Sequence, residues 1–142
     1  TGHFFYDQLN SRDDGLYSAL FFIKILLNEK RRLSEIVDDI PTNFITPDLR
    51  ISYEGDRYAV LEKIKANLSS YPTDTTDGVR VDFPEGWGLI RVSVTEPKLT
   101  LRFEARREEE LMNIIKEFLS AVPEIKDKVK AKYEEAKDGK ER

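Results

Sequence analysis

Between residues 79 and 103 three short segments alternate apolar and polar side chains, and this pattern limits the folds open to the chain. Val79, Val81 and Phe83 alternate; Pro84-Glu85-Gly86 then gives a tight hairpin signal, and Trp87 to Val92 reads as the returning strand. After the Pro97 loop, Leu99, Leu101 and Phe103 alternate again. A period of two places one face of each segment in a core and leaves the other outside. The next stretch changes period. Glu108-Glu109-Glu110 occupy a first helical turn, where carboxylates complement the dipole, and Leu111, Ile114, Ile115, Phe118, Leu119 and Val122 form one helical stripe. Antiparallel strands followed by an amphipathic helix predict a sheet with helices on one face.

Upstream, Leu49, Ile51 and Tyr53 predict a strand, and Val60, Leu61, Ile64 and Leu68 an amphipathic helix. Pro72 to Gly78 reads as a loop. Beyond Pro123, Ile125, Val129, Tyr133 and Ala136 share one face of a charged helix whose final residues, 138–142, are expected to fray. The domain from 43 to 142 is therefore predicted as α+β: a two-layer sandwich with a four-stranded, mainly antiparallel sheet, in the order β-α-β-β-β-α plus a tail helix. Residues 1–42 read differently. Phe4-Phe5-Tyr6 stand at the start as though the chain began inside a sheet, which suggests a fragment. Asp13-Asp14 before Gly15 predict a capped helix, and Leu16 to Leu27 is apolar on nearly every side. Such a helix needs partners on several faces, which points to neighbours outside this sequence and, in an isolated piece, to self-association. A short helix is expected from Ser34 to Ile40, ending at Pro41.

Composition removes whole classes of function. The 142 residues hold 23 Lys and Arg against 27 Asp and Glu, a net charge of −4, so a broad polyanion-binding face is not expected and nucleic acid is not an expected partner. With no Cys and one His there is no disulfide, no thiolate nucleophile and little for a zinc site. The run Ala19–Leu27 is broken by Lys24 and falls far short of the roughly 20 residues of a membrane span. No secretory leader is evident, and the expected setting is cytoplasmic, without membrane. High charge with a single Met is a composition common in heat-adapted proteins.

Chemistry concentrates in Arg91-Val92-Ser93-Val94-Thr95-Glu96-Pro97. One guanidinium, two hydroxyls and the N–H groups of a turn suit the three acceptor oxygens of a phosphate. The competing reading makes Arg91 a surface strand residue and Ser93 and Thr95 partners in local turn hydrogen bonds. Gly86 and Gly88 would permit close backbone approach nearby. Thr1-Gly2-His3 offers a hydroxyl, a glycine and an imidazole to a polyhydroxyl ligand, or simply a solvated His. Asp13-Asp14 and Asp38-Asp39 read as caps or solvated faces rather than metal ligands, and Trp87 as a core anchor rather than a binding platform.

At these two loops the chain resembles the α-D-phosphohexomutase superfamily, of the phosphomannomutase/phosphoglucomutase type. Thr1-Gly2-His3 is similar to the end of that family's Gly-Glu-x-Ser/Thr-Gly-His sugar loop, and Asp13-Asp14-Gly15 to the start of the helix after it. Asp77-Gly78-Val79-Arg80-Val81 and Gly86-Trp87-Gly88, followed by Arg91-Val92-Ser93-Val94-Thr95-Glu96-Pro97, resemble its Asp-Gly, Gly-Trp and Arg-x-Ser-Asn-Thr-x-Pro phosphate loop. The resemblance implies residues 1–42 as the remnant of a third, α/β domain and 43–142 as a fourth domain with a TATA-binding-protein-like fold. It further implies phosphate binding by Arg91, Ser93, Val94 and Thr95, and sugar binding by Thr1, Gly2 and His3. The implied parent enzyme moves phosphate between C1 and C6 of mannose or glucose, using a phosphoserine and Mg2+. Neither the phosphoserine loop nor the Asp-rich metal loop lies in this sequence, so no catalytic residue and no cofactor are expected here. Val94 departs from the pattern, leaving a backbone N–H where Asn would add a side chain. A stand-alone nucleic-acid-binding or dimerisation domain is the competing reading.

Overall fold

A computed structural model describes residues 2–138. The chain divides after Pro41 into two compact units.

In the first unit, β1 (Phe5–Tyr6) pairs antiparallel with β2 (Arg12–Asp13). A 3-10 turn, Asp7–Leu9, joins them through Asn10 and Ser11, both at positive φ. Helix α1 (Gly15–Asn28) starts at Asp14, whose carboxylate accepts the Tyr17 N–H at 2.9 Å. Asp13 does not share the cap as expected: it lies in β2, and its carboxylate pairs with the His3 ring. No α1 residue is buried, and Leu16, Leu20, Phe22 and Leu27 are all exposed. The short α2 (Leu33–Asp38) ends two residues before Ile40.

The second unit is the predicted α+β sandwich. Its sheet has β3 (Phe44–Ile45), β4 (Leu49–Ser52), β5 (Thr73–Asp74), β6 (Val79–Phe83), β7 (Gly86–Val92) and β8 (Lys98–Ala105). The spatial order is β3-β8-β7-β6-β5, with β4 also paired to β8, and all pairings are antiparallel. Six strands thus replace the expected four. The two additions, β3 and β5, are dipeptides too short to display alternation, and β5 falls inside the stretch expected to be loop. Phe83 pairs with Gly86 across a two-residue turn, as the Pro84-Glu85 signal predicts.

Register aligns the apolar residues on one face. Leu49 opposes Leu101, which opposes Ile90, which opposes Val79. Against that face pack α3 (Arg57–Asn67), α4 (Glu108–Ser120) and α5 (Pro123–Asp138), contributing Val60, Ile64, Leu111, Phe118, Ile125 and Val129 among others. Each fully buried side chain of this kind contributes about 1.5–3 kcal/mol. The expected stripes of α4 and α5 are the buried ones, and Asp56 caps α3 by accepting the Tyr58 and Ala59 N–H groups.

Trp87 corrects an expectation. In β7 the helix-facing positions are Gly86, Gly88, Ile90 and Val92, so Trp87 stands on the opposite, open face, with the Arg80 guanidinium 4.5 Å from its ring centre. The glycines serve close packing, Gly86 against the β8 main chain and Gly88 against the Phe103 and Phe118 side chains. A Cβ on Gly86 would lie 2.0 Å from the Glu104 carbonyl oxygen, and one on Gly88 2.7 Å from the Phe118 ring. Phe103 and Phe118, edge to face at 5.2 Å, fill the space that small residues in β7 leave.

Candidate functional site

The open face of the sheet positions the site. Arg91 and Arg50 both pair in register with Thr100, so the two arginines rise from β7 and β4 on either side of a small residue in β8. Facing away from the helices, the Arg91 side chain keeps 42% of its exposure. Its Nη1 lies 3.3 Å from a carboxylate oxygen of Asp77, itself well exposed. Gly78 brings Asp77 there: it has φ of 86°, and a Cβ would sit 2.2 Å from the Ile90 carbonyl oxygen, so only glycine fits against β7 at this point.

The β7–β8 loop closes on itself. Ser93 N–H donates to Lys98 O at 3.0 Å, Lys98 N–H donates to Glu96 O at 2.7 Å, and the Ser93 hydroxyl oxygen accepts Glu96 N–H at 3.3 Å. Arg57, at the start of α3, holds the loop from a second element: its Nη1 donates to Ser93 O at 3.2 Å and Glu96 O at 2.6 Å. Val94 is at the tip, 98% exposed. Among the described residues the Val94 and Thr95 N–H groups and the Thr95 hydroxyl have no hydrogen-bond partner. The local-turn reading therefore holds for the Ser93 oxygen lone pair, while its O–H proton and three neighbouring donors stay available.

A cleft of about 310 Å³ lies beside this loop, lined by Arg91, Ser93, Val94 and Thr95 together with Arg50, Lys98 and Thr100. Three cations, Arg50, Arg91 and Lys98, meet two carboxylates, Asp77 and Glu96, which leaves one positive charge in excess. Lys98 is engaged with Glu96 at 2.8 Å, and that hydrogen bond, reinforced by the ammonium charge, holds the Glu96 carboxyl below the usual carboxylate range. Arg50 is the least committed cation, 4.0 Å from Asp48. This concavity, lined by a guanidinium, hydroxyls and free N–H groups, suits a small polyoxygen anion.

The structure thus brings Arg91, Ser93, Val94 and Thr95 together. Gly2 and His3 belong to the first unit, where His3 is exposed and paired with Asp13; Thr1 lies outside the described residues. Sequence reasoning missed Arg50, Lys98, Thr100 and Arg57. Alternation alone could have placed Arg50, Thr100 and Arg91 on one face, but it carries no register; nothing in the sequence signals Arg57. Among the described residues no group of three or more His, Asp or Glu could hold a metal ion, and no helix is long and apolar enough to cross a membrane.

Known proteins match in the same terms. The model for the phosphoglucomutase/phosphomannomutase C-terminal domain matches residues 50–122. A phosphomannomutase/phosphoglucomutase of Pseudomonas aeruginosa is 41% identical over 118 residues, covering 80% of this chain and 26% of that protein. A phosphoglucomutase of Neisseria gonorrhoeae is 37% identical over 134 residues, covering 88% of this chain and 29% of the relative. A crystal structure of a phosphoglucomutase/phosphomannomutase family protein from Burkholderia thailandensis superposes with a TM-score of 0.72 at 31% identity, over 89% of this chain and 27% of that one. The chain thus spans about a quarter of the length of the curated relatives it matches. The matched residues take in the β7–β8 loop and its cleft, and the chain belongs to the phosphoglucomutase/phosphomannomutase family, with residues 50–122 matching that family's C-terminal domain.

Proposed function

We propose that this chain is the phosphate-gripping C-terminal part of a phosphohexomutase that interconverts hexose 1-phosphate and hexose 6-phosphate, with mannose or glucose phosphate as substrate. The observation that carries the reading is the cleft at the β7–β8 loop, where Arg91, two hydroxyls and two free N–H groups converge. In the proposed reaction the phosphate would move through a bisphosphorylated intermediate, which has to be presented to the reacting centre in both orientations. A domain that grips whichever phosphate is distant from the chemistry serves that need through positioning and charge neutralisation. Arg91 would supply the forked charge, the Ser93 and Thr95 hydroxyls would donate to phosphate oxygens, and Val94 would contribute its N–H. Bond making and breaking would fall to the preceding parts of the parent enzyme, so the isolated chain is expected to be inactive.

The magnesium implied for the parent does not fit the described residues, since no suitable group of ligands exists among them. Gly2 and His3, with Thr1, are proposed to line the sugar site in the complete enzyme, as the end of a loop from the preceding domain. The exposed apolar surface of α1 supports the assignment of 1–42 to that domain, because a helix apolar on most sides is stable in water only when covered. Without that cover the chain would self-associate through α1. The open sheet face argues against a nucleic-acid platform: Trp87 is the sole aromatic among its strand residues, and Arg80 covers it.

Titration of the chain with glucose 6-phosphate tests the reading. Binding that perturbs residues 91–95 and is weakened at least about tenfold in Arg91→Ala is expected; binding elsewhere, or none, overturns it.

A further inference from the structure

Arg57 lies outside the cleft, yet it bonds to the main chain of the β7–β8 loop that lines it. Its guanidinium reaches the loop from the α3 side and donates to Ser93 O and Glu96 O, 36 and 39 positions further along the chain. The described chain contains no cis peptide. In a trans peptide the C=O and the following N–H point to opposite sides of the plane. A Ser93 carbonyl turned to Arg57 therefore directs the Val94 N–H to the other side of the loop. Glu96 O has a second donor in Lys98 N–H, and Ser93 O has Arg57 alone among the described residues. Without the guanidinium, nothing holds the Ser93–Val94 peptide in this orientation, and the flipped form would present a carbonyl oxygen where an anion needs a donor.

We propose that Arg57 is a positioning residue for phosphate-ester binding: it captures the Ser93 carbonyl and so aims the Val94 N–H at the anion in the cleft. The inference rests on the phosphate-binding reading above. It also gives Val94 a role in which the side chain is immaterial, consistent with its exposure at the tip. Arg57 is half-buried and makes its contacts with neutral carbonyls, so it is not spent on an ion pair.

The test is an NMR titration of the chain with glucose 6-phosphate, following backbone amides in the wild type and in Arg57→Ala, Arg57→Lys and Arg91→Ala. The expected wild-type result is a downfield shift of the Val94 amide proton at saturation. Arg57→Ala should bind about tenfold more weakly and lose that shift, with Arg57→Lys restoring part of both, since an ammonium can still reach a carbonyl. If Arg57→Ala binds within twofold of wild type while Arg91→Ala binds at least about tenfold more weakly, the positioning role is overturned and the cleft reading survives. If Arg91→Ala binds as the wild type does, the cleft reading falls and takes this inference with it. Should Arg57→Ala fail to fold, the wild-type spectrum decides: a Val94 amide that stays still while its neighbours move overturns the proposal.

Discussion

Thr46 satisfies both backbone groups of Phe103: its N–H donates to Phe103 O at 2.9 Å, and its hydroxyl oxygen accepts Phe103 N–H at 3.0 Å. Thr46 sits between β3 and β4, two strands that share the same edge of β8. Where the chain steps from one strand to the other, the β8 ladder would lose an acceptor, and a side-chain oxygen takes the place of a main-chain carbonyl. Both residues are essentially fully buried, so water cannot substitute.

Thr46→Val keeps the shape and removes the acceptor. The orphaned Phe103 N–H should cost about 1–3 kcal/mol of stability. Urea denaturation checks this, and Thr46→Ser should recover most of the loss. Equal loss in the Ser variant would show that the methyl group, not the hydrogen bond, carries the effect.

Gly78→Ala should destabilise by at least about 1 kcal/mol, because the residue has positive φ and the added Cβ meets a main-chain oxygen that cannot move independently of β7. Calorimetry gives the size. The Asp77 carboxylate should also leave Arg91, which a chemical-shift change at the Arg91 side chain would report.

Arg91→Ala should weaken glucose 6-phosphate binding by about 1.5–3 kcal/mol, the range for a hydrogen bond to a charged group. Arg50→Ala should cost less, and its cost should shrink at high salt, since its guanidinium lines the cleft but is more exposed to screening than that of Arg91. Titrations at two ionic strengths separate these cases. An Arg50 effect that persisted in salt would mean direct contact.

Lys63 of α3 and Glu124 of α5 form an ion pair across the helical layer. Their hydrogen bond, with the charge interaction behind it, lowers the Glu124 pKa and raises that of Lys63. A depressed carboxyl stabilises the fold above its unfolded pKa of about 4.3, and the gain is lost as pH falls through the folded value. A raised ammonium stabilises below its unfolded pKa of about 10.4, and the gain is lost as pH rises through the folded value. The stability difference between wild type and Glu124→Gln should therefore be greatest between about pH 5 and 9 and shrink outside this window. Melting temperatures across pH test it; a difference independent of pH would remove the ion pair from the account.

Much of the fold follows from local pattern. The helix stripes at 111–122 and 125–136 and the inward positions of β4, β6 and β8 are the buried ones, because period 3.6 and period two are properties of the backbone and each apolar set had one face to occupy. Trp87 escaped this logic. In β7 the large residue faces out and two glycines face in, since Phe103 and Phe118 already occupy the volume at Gly88 and the β8 main chain at Glu104 and Ala105 occupies that at Gly86, and that volume belongs to other elements.

The site divides in the same way. Arg91, Ser93, Val94 and Thr95 are contiguous, so a short stretch of sequence was enough to mark them as a unit with the donors a phosphate requires. Arg50 joins them only because β4 pairs with the far edge of β8, and Arg57 only because α3 packs where its first residue reaches the loop carbonyls. Residue order determined which groups could act and which faces would be wet. The pairing register and helix docking decided what stands beside them, because contacts between distant segments depend on the packing of the whole layer, which no local period encodes.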